Sequence, residues 1–153
     1  MAVNYLIEFG IGAVDLNPAP INQSWILEGE PMARNKLVSM SADGNASTWM
    51  WDCTAGKFNW FYDIDETVYV IEGSVIIKEG DREPQLVSAG DTIFFHKGSS
   101  AEWTVQKYIR KVAFLRIPLP LSIQIARRAY HMLKRVTGRG GSKNASPAMF
   151  PSQ

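Results

Sequence analysis

Residues 56–73 read Gly56-Lys57-Phe58-Asn59-Trp60-Phe61-Tyr62-Asp63-Ile64-Asp65-Glu66-Thr67-Val68-Tyr69-Val70-Ile71-Glu72-Gly73. Aromatic and β-branched residues fill the run, and turn formers interrupt it at 63–65 and at its end. It reads as strand, short turn, strand, tight turn. Phe58 to Tyr62 is the first strand and Asp63-Ile64-Asp65 the corner. Thr67 to Ile71 pairs with Ser74 to Lys78 in a hairpin around Glu72-Gly73. A single carboxylate, Glu66, lies between corner and hairpin.

The same pattern extends to both sides. Upstream, Lys36 to Ser41 is followed by the turn Asp43-Gly44-Asn45 and by Ser47 to Cys53, which puts Trp49, Trp51 and Cys53 on one face. Ala55-Gly56 then turns the chain. Downstream come Gln85 to Val87, Thr92 to Phe95, Glu102 to Gln106 and Tyr108 to Ile117, separated by turns at 89–91 and 96–98. Short strands with turns at such spacing predict an all-β sandwich or barrel. Beyond Pro118 and Pro120 the period changes. Ile123, Ala126, Tyr130 and Leu133 recur at helical spacing, with Arg127, Arg128, His131, Lys134 and Arg135 elsewhere on the wheel. Ser122 is the expected cap and Gly138 the expected stop. The organisation is therefore an arm with edge strands (1–35), a barrel (36–118), an amphipathic helix (119–137) and a flexible tail (138–153). Residues 4–14 of the arm are apolar and suit an edge strand or packing arm.

The chain has 153 residues, 46% apolar and 20% charged, which fits one globular domain. The net charge of +1 directs it to neither nucleic acid nor membrane as a whole. The charge is nevertheless uneven: residues 1–120 carry net −5, and residues 121–153 carry net +6 with no acidic residue. One cysteine, Cys53, excludes an internal disulfide and a cysteine zinc cluster. No run approaches the ~18–20 apolar residues of a membrane span. The N-terminus lacks a positive charge ahead of its apolar part, and Glu8 interrupts it, so no secretory leader is expected. The expected location is the cytoplasm.

Glu66, six residues, then Gly73, followed by Gly90-Asp91 and His96-Lys97-Gly98, resembles the two motif blocks of the cupin superfamily. Trp51, Asp65-Glu66, Trp103 and Arg110-Lys111 add a resemblance to the ureidoglycine aminohydrolase-like cupin group, which includes an ethanolamine-utilisation cupin. The resemblance covers about residues 25–117 and implies a double-stranded β-helix, the cupin jelly roll, here with a C-terminal α-helix. Metal-binding members supply two histidines ahead of the glutamate and one in the second block. The matching positions here are Trp60, Tyr62 and Ala101, and the turn proline is replaced by His96. One carboxylate does not make the three or four ligands of a stable transition-metal site. No metal and no cofactor are expected.

Strand alternation puts Trp60, Tyr62, Ala101 and Trp103 on one face with Glu66, and Trp49 and Trp51 on a neighbouring strand. An aromatic box with one carboxylate suits a small, partly apolar or cationic ligand or the flat face of a sugar. The expectation is a metal-independent small-molecule-binding protein, a sensor or accessory factor, with Trp49, Trp51, Trp60, Tyr62, Glu66 and Trp103 as the pocket. The alternative is an enzyme of aminohydrolase or sugar-processing type, with Glu66 as acid or base assisted by Tyr62 or His96. Against both stands the reading of the aromatics as core and of Glu66 as a corner-holding residue. Arg110 and Lys111 alternate, so one faces the barrel and the other solvent. A homodimer is expected, paired through sheet edges, arm and helix. The helix is expected to cap the barrel or pack on a second subunit. Contact with an acidic membrane is the lesser alternative, and nucleic-acid binding ranks last for want of a reading motif.

Overall fold

The computed structural model describes residues 15–137, the last two by backbone alone. The apolar stretch 4–14, the tail and the Gly138 stop lie outside the described residues. Eight antiparallel strands run as β1 (Asn17–Pro18), β2 (Ile26–Glu28), β3 (Ala33–Met40), β4 (Ala46–Phe61), β5 (Asp65–Lys78), β6 (Gln85–Ser88), β7 (Thr92–Phe95) and β8 (Ser100–Arg116). A short 3-10 turn, Gln23–Trp25, precedes β2, and a helix, α1 (Leu121–Thr137), follows β8.

Three strands are far longer than the alternation predicts. Ser47 to Cys53 and Phe58 to Tyr62, expected as separate strands, belong to one strand, β4, with a register shift between Thr54 and Gly56 instead of a turn. Thr67 to Ile71 and Ser74 to Lys78 are not a hairpin: both lie in β5, which shifts register around Ile71 and Gly73. The segments on either side of Lys107 are likewise one strand, β8. The physical reason is the bulge, which bends a strand without ending it. Gly73 makes this possible. Its φ of 75° is left-handed, and a Cβ built there would stand 2.0 Å from the Tyr108 carbonyl oxygen.

Each long strand serves two sheets. The first halves of β4 and β5 pair with the second half of β8 in the order β1-β3-β4-β8-β5-β7, and their second halves pair with the first half of β8 in the order β2-β4-β8-β5-β6. This is the expected all-β double-stranded β-helix. Its core holds Trp51, Cys53, Phe58, Val68, Val70, Trp103 and Ile109 of the bent strands, with Tyr62 just past β4 and Phe95 of β7. Strand β3 begins at Ala33, three residues before the expected Lys36, because Ala33 to Lys36 pair with Met50 to Cys53.

Helix α1 belongs to a second compact unit that starts at Leu119. Ser122 does not cap it. The helix starts at Leu121, and the Pro120 carbonyl accepts the amides of Ile123 and Gln124, so Ser122 lies inside the first turn.

Candidate functional site

The barrel interior is organised around an ion pair. Lys111 on β8 stands across from Trp51 of β4 and Val70 of β5. Its neighbours in the inward file are Ile109 and Ala113, so alternation points its side chain into the core. Lys111 Nζ donates to Glu66 Oε1 at 2.7 Å. Both residues are buried, at 4% and 7% exposure. Three indoles surround the ammonium, with ring centroids at 4.7 Å (Trp103), 4.9 Å (Trp51) and 6.0 Å (Trp60). Ion pair and ring faces together offset the desolvation of a buried ammonium, which an unpaired lysine would not tolerate.

The tryptophans hold one another edge to face: Trp51 meets Trp60 at 6.0 Å and Trp103 at 5.9 Å. Trp60 extends the cluster outward to Trp25, 5.6 Å away. The Trp103 indole N–H donates to the Tyr62 hydroxyl at 3.0 Å, and the Tyr62 ring stacks on Phe95 at 4.2 Å. Burial pushes the Tyr62 hydroxyl well above its ordinary pKa, with the Glu66 charge as the second cause. Tyr62 therefore stays a neutral phenol that accepts a hydrogen bond.

Five of the expected pocket residues thus come together: Trp51, Trp60, Tyr62, Glu66 and Trp103. Trp49 does not touch these rings in the same way, and its indole N–H turns to Ser47 Oγ at 3.0 Å. His96 is exposed and edge-on to Phe94 at 4.5 Å. Glu66 does not hold the corner by bonding Tyr62 or an amide. That work falls to Asp65, whose Oδ1 accepts the Lys97 amide at 3.0 Å. Sequence reasoning left Lys111 undecided, although a lone lysine in the apolar file Ile109-Lys111-Ala113 was the signal that could have placed it. It also passed over Asp52, 1% exposed, which accepts from Arg34 Nε at 3.0 Å and from the Tyr108 hydroxyl at 2.9 Å. The Asp52 hydrogen bond and charge raise the Arg34 pKa further.

A metal would have to be held by Glu66. The donors around that carboxylate are an ammonium, a phenol and indoles, and none of these is a transition-metal ligand at neutral pH apart from the carboxylate itself. Among the described residues no three of His, Cys, Asp and Glu converge. The residues present do not fit a metal; the cation that Glu66 binds is Lys111.

Beside this cluster a cavity of about 880 Å³ opens between β5, β6, β7 and the start of β8. Its apolar wall includes Ile77, Val87, Ile93, Phe95 and Ala101, and Arg82 and His96 stand on its lining. Phe95 thus joins the cavity to the core through its stack on Tyr62. A second cavity, about 560 Å³, lies by Thr48, Thr67, Phe94 and Phe114.

Residues 40–113 match the family model described as the EutQ-like cupin domain. Among solved structures, a protein of unknown function of the DUF861 family from Pseudomonas syringae pv. tomato aligns with a TM-score of 0.62 and 25% identity. That alignment covers 67% of this chain and 45% of the Pseudomonas protein, so the chain spans less than half of that relative. The EutQ protein of Clostridium difficile aligns at TM-score 0.51 and 23% identity over 65% of this chain and 81% of its own. A putative ethanolamine utilization protein Q from Salmonella typhimurium aligns at 0.51 and 19%, over 70% and 98%. The last two show the fold alone. No curated protein matches the chain.

Proposed function

We propose that the protein is a metal-independent cupin, a reading supported by the match of residues 40–113 to the EutQ-like cupin model. It binds a small, partly apolar organic molecule in a sensor or accessory role. The observation that carries this reading is the 2.7 Å contact of Lys111 Nζ with Glu66 Oε1 inside the three indoles. It supplies the interior carboxylate with a cation of the chain's own, so no metal charge is needed to compensate it. Binding then falls to the adjoining cavity of about 880 Å³, within the ~300–1,000 Å³ usual for small-molecule pockets. Ile93, Phe95 and Ala101 offer an apolar wall, and Arg82 and His96 offer polar groups that orient a ligand. The enzymatic alternative requires Glu66 to leave Lys111 during turnover, and the buried pair therefore supports binding over catalysis.

Thermal shift and calorimetry against a panel of small ureides, amines, carboxylates and sugars test the reading. One class should raise the Tm of the wild type and lose that effect in Ala101→Trp, which fills the cavity, with near-UV circular dichroism reporting an intact fold. Equal binding by that variant, or no stabilising compound, counts against the proposal. Elemental analysis of protein purified without chelator tests the metal-independent part, since stoichiometric Mn, Fe, Ni or Zn in the barrel overturns it.

A further inference from the structure

Helix α1 separates its residues by chemistry more sharply than a solvent-facing helix needs to. At 100° per residue, Leu121, Ile123, Ile125, Tyr130 and Met132 fall within one arc of about 200°. The opposite arc holds Arg127, Arg128, Lys134 and Arg135, with Gln124 and His131 between them. No acidic residue lies anywhere in the helix or after it. The apolar side chains are exposed, Leu121 at 71% and Met132 at 69%. No helix among the described residues is long and apolar enough to cross a membrane.

We propose that α1 is a membrane-surface helix that lies in the headgroup region of an anionic lipid bilayer, with its apolar arc turned towards the acyl chains. Charge complementarity selects this occupant. Every charge on the polar arc is positive, so a copy of the helix offers it no opposite charge with which to pair. Anionic headgroups neutralise it along its whole length. The breadth of the apolar arc agrees, because a two-helix seam needs only a narrow stripe. Arginine and lysine at the arc boundaries bury their stems and keep their charges at the phosphates. Tyr130, near the edge of the apolar arc, sits at the depth that amphipathic aromatics favour.

The test is co-sedimentation of the full chain with vesicles of phosphatidylcholine alone and of phosphatidylcholine mixed with phosphatidylglycerol. Binding should be confined to the mixed vesicles and weaken as salt is raised. At about one kcal/mol per basic residue near the surface, Arg127→Gln with Arg128→Gln should weaken it roughly 30-fold. Ile125→Asp should abolish it while tryptophan emission from the barrel stays native, which separates loss of binding from loss of fold. Equal partition onto neutral vesicles overturns the proposal, as does full binding by Ile125→Asp. So does absence of vesicle binding from a chain that instead self-associates or retains a DNA duplex.

Discussion

A lysine in a barrel core is a costly residue unless its charge is answered. Lys111 is answered twice, by Glu66 at 2.7 Å and by the faces of Trp51 and Trp103. Removing one partner of such a buried pair leaves the other charge without compensation, whereas removing both need not. Lys111→Met should therefore destabilise the protein by about 3–5 kcal/mol, read as a lowered urea midpoint. Adding Glu66→Gln to Lys111→Met should recover much of that loss. A double variant as unstable as the sum of the two single variants would show that the residues do not act as a pair. This residue was half legible from the sequence. The alternation of Arg110 and Lys111 said that one of them faces inward, the apolar file Ile109-Lys111-Ala113 favoured the lysine, and the register against Trp51 and Val70 places it there. That the ammonium would land on Glu66, 45 positions away, was not readable from spacing at all.

At the scale of elements, the bulges decide the architecture and glycine decides the bulge. A Cβ at Gly73 would meet the Tyr108 carbonyl oxygen at 2.0 Å, and the residue's φ is 75°. Gly73→Ala must move backbone as well as accept a left-handed alanine. It should cost more than the ~1–2 kcal/mol of the left-handed conformation alone, visible as a lowered Tm. A Tm within error of wild type would mean that β5 can straighten there. The β3–β4 turn is held differently, by a side chain. The Asp43 carboxylate accepts from Ser41 Oγ at 2.6 Å and from the Asn45 amide at 3.0 Å, and these bonds, Ser41 first, lower its pKa from 3.8 to about 2. A depressed folded pKa gives stability that is complete above the unfolded value of 3.8 and is lost as pH falls through about 2. Amide shifts of residues 41–46 should titrate with that low midpoint, and Asp43→Asn should remove the transition. A midpoint near 3.8 would contradict the turn geometry.

For the barrel as a whole, one continuous core implies one cooperative transition. Cys53 is its natural reporter. It has no exposed surface, and burial, followed by the Asp52 charge, pushes its thiol pKa up to about 12. The native thiol should resist alkylation at neutral pH and become reactive at the same urea midpoint at which tryptophan emission shifts. Reactivity well before that midpoint would mean that the sheet carrying β4 opens on its own. The fold class was legible because strand alternation and turn residues are local signals, and the two glycine blocks sit within them. The packed aromatic cluster around Glu66 was legible in membership but not in arrangement, and the adjoining cavity between β5, β6, β7 and β8 was not legible at all. Trp51, Trp60, Tyr62, Glu66 and Trp103 were all named by parity, while Trp49 shares that parity and still bonds Ser47 instead.

The sequence by itself determined an all-β barrel followed by a basic amphipathic helix, with Glu66 among aromatic residues. Period, turn chemistry and residue type are properties of neighbours along the chain, so they survive without coordinates. The tertiary structure decided that the apparent hairpin is a bent strand, that Ser122 lies inside its helix, and that Lys111 closes on Glu66 among the tryptophans. Those outcomes depend on which strands pair and in what register. Register is set by packing of the whole core rather than by any stretch of residues within it.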